Sequence, residues 1–323
     1  MEKKMEMCSL FSGVGGIDLG FESTGFFKTI LANEMDDKAS KTYSMNFDNK
    51  IIIDDIRNVE PQLLPDFDVL LSGFPCTSFS IAGYRKGFED ETSGDLFFET
   101  LKVIVEKEPR VVFLENVKNL VGHDNGNTFK VIREALEKNG YYLKYQVLNA
   151  KDYGDTPQNR ERIYIVGFRN LEEYKNFEFP DPIPLNRTIE DVISFSDLVD
   201  DAFYYKPEKV KFYNLLEEEI VKRDTIYQWR RKYVRENKSN VSPTLTANMG
   251  TGGHNVPLIL SDYGIRKLTP RECFNLQGFP EDFRLPNLAN SHLYKQAGNS
   301  VVVPVIQRIA DNIYKAINKK ICV

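Results

Sequence analysis

Short apolar runs alternate with amphipathic stretches through the first half of the chain. The runs predict strands over Met7–Phe11, Thr29–Asn33, Ile51–Ile53, Asp68–Leu71, Val111–Leu114, Tyr142–Leu148 and Ile163–Phe168. Helical spacing fills Asp36–Met45, Leu96–Lys107 and Thr128–Asn139; in the last, Phe129, Val131, Ile132, Ala135 and Leu136 form one apolar stripe. Strands separated by helices imply βαβ units, and so an α/β fold with a mostly parallel sheet covered on both faces. The rhythm stops at Phe179-Pro180-Asp181-Pro182-Ile183-Pro184, a proline-rich linker. Beyond it Asn186–Asp262 reads as irregular, with Gly250, Gly252 and Gly253 close together. Helical spacing returns at Pro270–Gln277. Val302, Val305, Ile306, Ile309, Ile313 and Ile317 then predict a final helix that packs back on the first domain. The expected division is 1–182 for the large domain, 183–298 for a smaller inserted domain and 299–323 for the returning helix. A groove between two such domains is the expected place for a large substrate.

Composition narrows the class only a little. With 41% hydrophobic and 28% charged residues, the 323-residue chain is an ordinary globular one. No apolar run reaches the roughly 18 residues of a membrane helix. The charged start, Met1-Glu2-Lys3-Lys4, leads into a short apolar run and a glycine turn, which reads as a first strand and not as a signal peptide. A cytoplasmic protein with no membrane partner is expected. Cys8, Cys76, Cys273 and Cys322 lie far apart, and His123, His254 and His292 show no ligand spacing, so neither disulfides nor a metal site is expected. The net charge of −5 argues weakly against a nucleic-acid partner. Locally the picture reverses: Lys222–Lys238 carries a net +5 together with Tyr227, Trp229 and Tyr233. Solvated surface is the bland reading of such a run.

Candidate chemistry gathers at the predicted strand ends. The first strand runs into Phe11-Ser12-Gly13-Val14-Gly15-Gly16, whose glycines permit a tight turn and close approach of a ligand to backbone N–H groups. A dinucleotide loop would need a third glycine where Asp18 stands, which disfavours nicotinamide and flavin and suits a ligand without pyrophosphate. Glu34, about 20 residues on, is placed to bind ribose hydroxyls. Asp55-Ile56 offers an acceptor for an adenine amino group and an apolar wall for its ring.

The fourth strand ends in Gly73-Phe74-Pro75-Cys76-Thr77-Ser78, a cysteine on a loop where open α/β sheets bind ligands. Alone, Cys76 reads as a packing residue. The fifth strand changes the balance, because Glu115-Asn116 at its end is costly to bury unless something is held there. Alternation along Gln158-Asn159-Arg160-Glu161-Arg162 puts Arg160 and Arg162 on one side, so that two guanidiniums converge on one cleft. A thiolate, a carboxyl and cations beside an adenosine site point to attack on an electron-poor ring.

In their order along the chain these stretches resemble the bacterial DNA (cytosine-5)-methyltransferase family. Phe11–Gly16 resembles its cofactor motif, Pro75-Cys76 its nucleophile motif, Glu115-Asn116-Val117 its glutamate motif and Gln158-x-Arg160-x-Arg162 its arginine motif. Arg271-Glu272-Cys273 and Gln296-Ala297-Gly298-Asn299-Ser300-Val301 resemble the two motifs after the variable region. The resemblance implies a Rossmann-like sheet that uses S-adenosyl-L-methionine, with Phe11, Gly13, Gly15, Glu34, Met35, Asp55, Ile56, Pro75, Leu96, Asn299 and Ser300 as cofactor contacts. It implies Cys76, Glu115, Arg160 and Arg162 as the catalytic group. Cys76 would add to carbon 6 of a flipped-out cytosine, Glu115 would bond nitrogen 3 and the exocyclic amine, and carbon 5 would take the methyl group. Residues Asn186 to Asp262 would recognise the target, with Ser80, Arg230, Arg231, Thr244, Thr246 and Asn248 as DNA contacts. A monomer acting on double-stranded DNA is implied, together with a cognate restriction endonuclease that is not a stable partner. The competing readings are a transfer-RNA cytosine methyltransferase, and a DNA-binding regulator that has lost catalysis. The aromatic basic stretch favours DNA over RNA, and the presence of all four catalytic candidates weighs against the regulator.

Overall fold

The computed structural model describes residues 3–75, 96–251 and 255–319. The chain forms two compact units, one of Met1–Leu148, Glu161–Asp181 and Ile306–Val323, the other of Asn149–Arg160 and Pro182–Val305.

The first unit is built on a sheet of seven strands: β1 (Met5–Leu10), β2 (Phe27–Asn33), β3 (Lys50–Ile52), β4 (Val69–Ser72), β5 (Val111–Val117), β6 (Tyr142–Asn149) and β8 (Glu161–Phe168). Their order across it is β3-β2-β1-β4-β5-β8-β6. β1 to β5 pair in parallel, whereas β8 runs antiparallel to β5. Continuous Val, Leu and Phe runs form these strands because both sheet faces are covered. On one face Leu10, Leu31, Leu70, Val112 and Ile163 pack with Phe97, Leu101, Ile132 and Leu136 of helices α3 (Leu96–Lys107) and α4 (Asn127–Lys138). Elsewhere in this unit Phe21, on α1 (Gly16–Glu22), meets Phe27 and Phe113 edge-on at 5.1 Å. The final helix, Val303–Asn318, buries Ile306, Ile309 and Ile313 completely, and its Tyr314 stacks flat on Phe26 at 3.7 Å. Helix α2 (Asp37–Asn46) starts where the Asp36 carboxylate accepts from the Lys38 and Ala39 N–H groups, satisfying two of its free donors. The strand order reverses between β1 and β4. That switch point is where open parallel sheets leave a crevice beyond their carboxyl ends.

In the second unit the structure corrects the expectation of irregular chain over Asn186–Asp262. Strands β9 (Tyr227–Trp229), β10 (Val234–Glu236) and β12 (Val256–Ser261) lie there, and with β13 (Gly264–Lys267) just beyond they form an antiparallel sheet in the order β10-β9-β12-β13. Apart from it, β7 (Gln158–Asn159) and β11 (Ser242–Pro243) pair in parallel as a ladder of two. Strands of three or four residues are too short to impose a visible period, and Pro257 disguises β12. Leu216, Ile220, Tyr227, Trp229 and Leu258 form the core of this unit, with Phe212 stacked on Trp229 at 4.1 Å.

Arg266 of β13 is wholly buried, and both of its terminal nitrogens bond the Glu272 carboxylate, at 2.7 and 2.8 Å. Glu272 also closes a capping box with Thr269 at the start of helix Pro270–Asn275. Removing one partner strands the other charge inside the protein. Glu272→Ala is therefore expected to destabilise the second unit by about 3–5 kcal/mol, seen as lower hydrogen-exchange protection across β12 and β13 in urea. Protection equal to the parent chain would contradict this.

Candidate active site at the carboxyl ends of the parallel strands

The loop after β1 takes left-handed backbone at alternate positions: Phe11 (φ 54°), Gly13 (φ 56°) and Gly15 (φ 85°). Glycine adopts this region freely. Phe11 does not, at a cost of order 1–3 kcal/mol, and its partly buried ring packs on the core. Gly15 is required for a second reason, since a Cβ there would lie 2.3 Å from the Phe47 ring. At Gly13 a Cβ would meet only open space. Glu34, one residue past β2, ties this loop to α2 by accepting from the Gly13 N–H at 2.9 Å and the Asp36 N–H at 2.8 Å. Met35 beside it is 62% exposed, a large apolar side chain facing solvent. Asp55 is clasped by Arg57, which holds its carboxyl down at about 2, and Ile56 next to it is buried.

At the end of β4, Gly73 sits between the two ends of the expected site. A Cβ there would lie 3.9 Å from the Phe11 carbonyl oxygen and 3.8 Å from Glu115 Oε2. Glu115 is 9% exposed, and its Oε1 lies 3.1 Å from Arg162 Nε. The register explains the pair: Arg162 stands opposite Val117, on the same face as Glu115. Asn116 is buried and donates to the Phe74 carbonyl at 2.7 Å, anchoring the chain just before Pro75. Gly73 does not stand out in the sequence except as a neighbour of a better candidate. Leu96, the other expected contact here, begins α3 and packs partly buried on the core. Cys76 and Ser80 lie outside the described residues.

The expectation that Arg160 and Arg162 converge on one cleft is corrected. The strand is broken at Arg160, which lies between the short β7 and β8, so side-chain alternation does not run through it. Arg160 is 2% exposed, in the second unit, and donates to the carbonyls of Leu245 at 2.9 Å, Gly298 at 3.1 Å and Ser300. It thus braces the peptide on both sides of Asn299, which is exposed. Gln158, fully buried, accepts from the Leu245 N–H and donates to the Leu276 carbonyl. Gly298 lets the Thr246–Ala247 backbone come so near that a Cβ would lie 2.3 Å from it. The Ser300 hydroxyl is buried with no hydrogen-bond partner among the described residues. Thr244 donates to the Asn159 carbonyl, Thr246 to the Asn248 side chain, and Asn248 is exposed. Arg231 (φ 67°), Lys232 and Tyr233 stand exposed in the turn joining β9 to β10. Arg230, at its start, is partly buried and bonds Asn255.

Beneath the glycine loop lies a group that the sequence shows only as a missing glycine. Asp18 is wholly buried, and its carboxylate accepts from Ser9 at 2.9 Å, Tyr43 at 2.9 Å and Thr29 at 3.2 Å. Burial pushes its carboxyl up to about 6, with nearby Glu22 adding to the rise and the Ser9 and Tyr43 hydrogen bonds opposing it. Between the unfolded value of 3.8 and about 6 the folded chain holds a proton that the unfolded chain has lost. Stability from this group is therefore full below the unfolded value and falls as pH rises through that window, by about 3 kcal/mol in all. Denaturant midpoints of the parent and of Asp18→Asn, measured from pH 4 to 7, should diverge with that slope in favour of the variant. Parallel profiles would refute the assignment.

The profile of the C-5 cytosine-specific DNA methylase family matches residues 5–315. The type II methyltransferase M.Bsp6I of Bacillus sp. (strain RFL6) is 73% identical over 312 residues, spanning 97% of this chain and 99% of that protein. M.HaeII of Haemophilus aegyptius, also a type II methyltransferase, is 41% identical over 98% of this chain and 95% of its own. The fold is that of the Dnmt2 methyltransferase of S. pombe, with a TM-score of 0.74 at 18% identity over 98% of this chain and the whole of that one. With its α/β sheet and ordered motifs, the chain belongs to the C-5 cytosine-specific DNA methylase family and is a DNA (cytosine-5) methyltransferase.

Proposed function

We propose that this enzyme moves a methyl group from S-adenosylmethionine to carbon 5 of a cytosine flipped out of a short specific sequence in duplex DNA, through a covalent adduct at Cys76. Its place is in a restriction–modification system, where the methylated cytosine protects host DNA from a cognate endonuclease. The observation that carries this reading is Gly73, where the Phe11 carbonyl oxygen and Glu115 Oε2 each lie within 3.9 Å of the place a Cβ would take, so that the glycine loop and the strand end bearing Glu115 border one space.

The residues of the first unit fit the methyl donor. Open space at Gly13 leaves room against the backbone, Glu34 offers carboxylate oxygens to ribose hydroxyls, and exposed Met35 with buried Ile56 offers apolar cover for a purine. In the second unit, the unsatisfied Ser300 hydroxyl is what a group reserved for a ligand looks like. Bound at the glycine loop, S-adenosylmethionine supplies an electrophilic methyl group. The chain's own residues prepare the acceptor. The Cys76 thiolate forms a bond to carbon 6, and the ring's electron pair moves toward nitrogen 3, where the Glu115 side chain hydrogen-bonds the ring nitrogen and the exocyclic amine. Arg162 holds the Glu115 carboxyl in place, and Asn116 fixes the backbone two residues before the nucleophile. Carbon 5, now electron-rich, takes the methyl group, then loses its proton to a base as the sulfur–carbon bond breaks and the ring is restored. Positioned acid–base help of this kind is worth about 10²–10⁴ in rate. Arg160, held among main-chain carbonyls, serves by bracing the segment around Asn299.

Cys76→Ser is expected to abolish transfer of labelled methyl to DNA while leaving donor binding intact. Duplexes carrying 5-fluorocytosine at the target should trap the parent enzyme as a denaturation-resistant adduct, because the carbon-5 proton that must leave is missing. Peptide mapping of that adduct to any residue but Cys76 ends the scheme.

Arg230 and Arg231, at the turn between β9 and β10, are read as phosphate-binding groups. Replacing both with alanine should flatten the plot of log affinity against log salt by about 0.9 for each phosphate no longer neutralised. An unchanged slope, measured by fluorescence anisotropy, returns that turn to ordinary surface.

A further inference from the structure

We propose that Asp18, acting through the Tyr43 hydroxyl, is a positioning residue that sets the enzyme's affinity for the methyl donor and not its rate of methyl transfer. This rests on the reading that the Phe11–Gly16 loop and Glu34 hold S-adenosylmethionine.

Asp18 stands in the first turn of α1, and its three hydroxyl partners come from three other places: Ser9 on β1, Thr29 on β2 and Tyr43 on α2. None of these groups reaches solvent, so the cluster has no path to a substrate and cannot take part in chemistry directly. What it does is close a circuit. The Tyr43 ring stacks on Phe47 at 4.4 Å, and these two rings occupy the space where a Gly15 side chain would be. From Tyr43, α2 leads back to its start at Asp37, just past Glu34, whose carboxylate bonds the Gly13 N–H on one side and the Asp36 N–H on the other. The glycine loop is therefore held to α2 at two points, by Glu34 above and by the Asp18–Tyr43 bond below. Glu34 is the one that must turn toward a ribose when the donor binds. When it does, the lower tie keeps the two walls at their spacing.

A buried carboxylate is an expensive way to hold three hydroxyls, since burial works against its charge. Hydroxyls alone could satisfy one another in several arrangements. A carboxylate accepts from all of them and donates to none, which permits a single arrangement. That defines the wall spacing more tightly than packing alone.

The test measures donor binding by titration calorimetry, KM and kcat for S-adenosylmethionine, and thermal midpoints. It uses the parent, Tyr43→Phe, Asp18→Ala, Asp18→Asn, the Asp18→Ala/Tyr43→Phe double variant, and Glu34→Ala as control. Tyr43→Phe keeps the ring stack and loses one hydroxyl, so it folds even if Asp18→Ala does not. It should raise the donor Kd and KM together by about tenfold, the size of one hydrogen bond to a charged group, with kcat at saturating donor within about twofold of the parent. Asp18→Ala should do at least as much, the double variant no more than Asp18→Ala, and Asp18→Asn, which keeps one acceptor oxygen and puts a donor in place of the other, should recover only part of the loss. A fall in kcat at unchanged KM overturns the proposal, as does a lowered thermal midpoint with donor affinity untouched. If Glu34→Ala binds the donor as well as the parent does, the loop is not the donor site and the underlying reading fails instead.

Discussion

A carboxylate buried at the end of a parallel strand needs a counter-charge, and the direction of β8 decides whether one can be supplied. Had β8 run parallel to β5, its first residues would lie at the opposite end of the sheet. Because it runs antiparallel, the chain enters β8 beside the end of β5, and Arg162 meets Glu115 there. The ion pair offsets the cost of burying Glu115 and fixes the direction of its carboxyl. The neighbouring groups are set around that pair: Asn116 next to it anchors Phe74, and at Gly73 the missing side chain leaves the space that Glu115 and the Phe11 carbonyl border.

The large sheet was legible because its strands are uninterrupted apolar runs separated by amphipathic helices. Every strand expected in the first unit is present, within a few residues at either end. The second unit was not legible, because β9 and β10 are three residues each and their stability comes from partners distant in sequence, such as Phe212 on Trp229. A periodicity argument needs length, and these strands lack it.

Legibility of the site followed the same physics. Glu34, Glu115 and Arg162 are charged residues at the ends of apolar strands, a contrast plain in the bare sequence. Asp18 was passed over because it lies inside a helix, where an acidic residue ordinarily faces water. Arg160 was placed wrongly beside Arg162 because alternation assumes an unbroken strand, and a break of one residue reassigns the side chain to another set of partners. Gly298 and Gly73 carry no chemistry of their own, and their role shows only when the backbone beside them is seen.

The second unit is discontinuous in sequence, and that bears on which of its parts hold it together. Its larger piece is Pro182–Val305, but Asn149–Arg160 belongs to it as well. Gln158 and Arg160 clasp Leu245, Leu276, Gly298 and Ser300 through main-chain groups, which any sequence provides. Side chains along Pro182–Val305 can therefore vary without loosening these bonds, provided the backbone follows the same path and position 298 stays glycine. The twelve-residue strip upstream thus grips the longer piece chiefly by its backbone, so the shape of the chain path, more than the side chains along it, decides whether the unit closes.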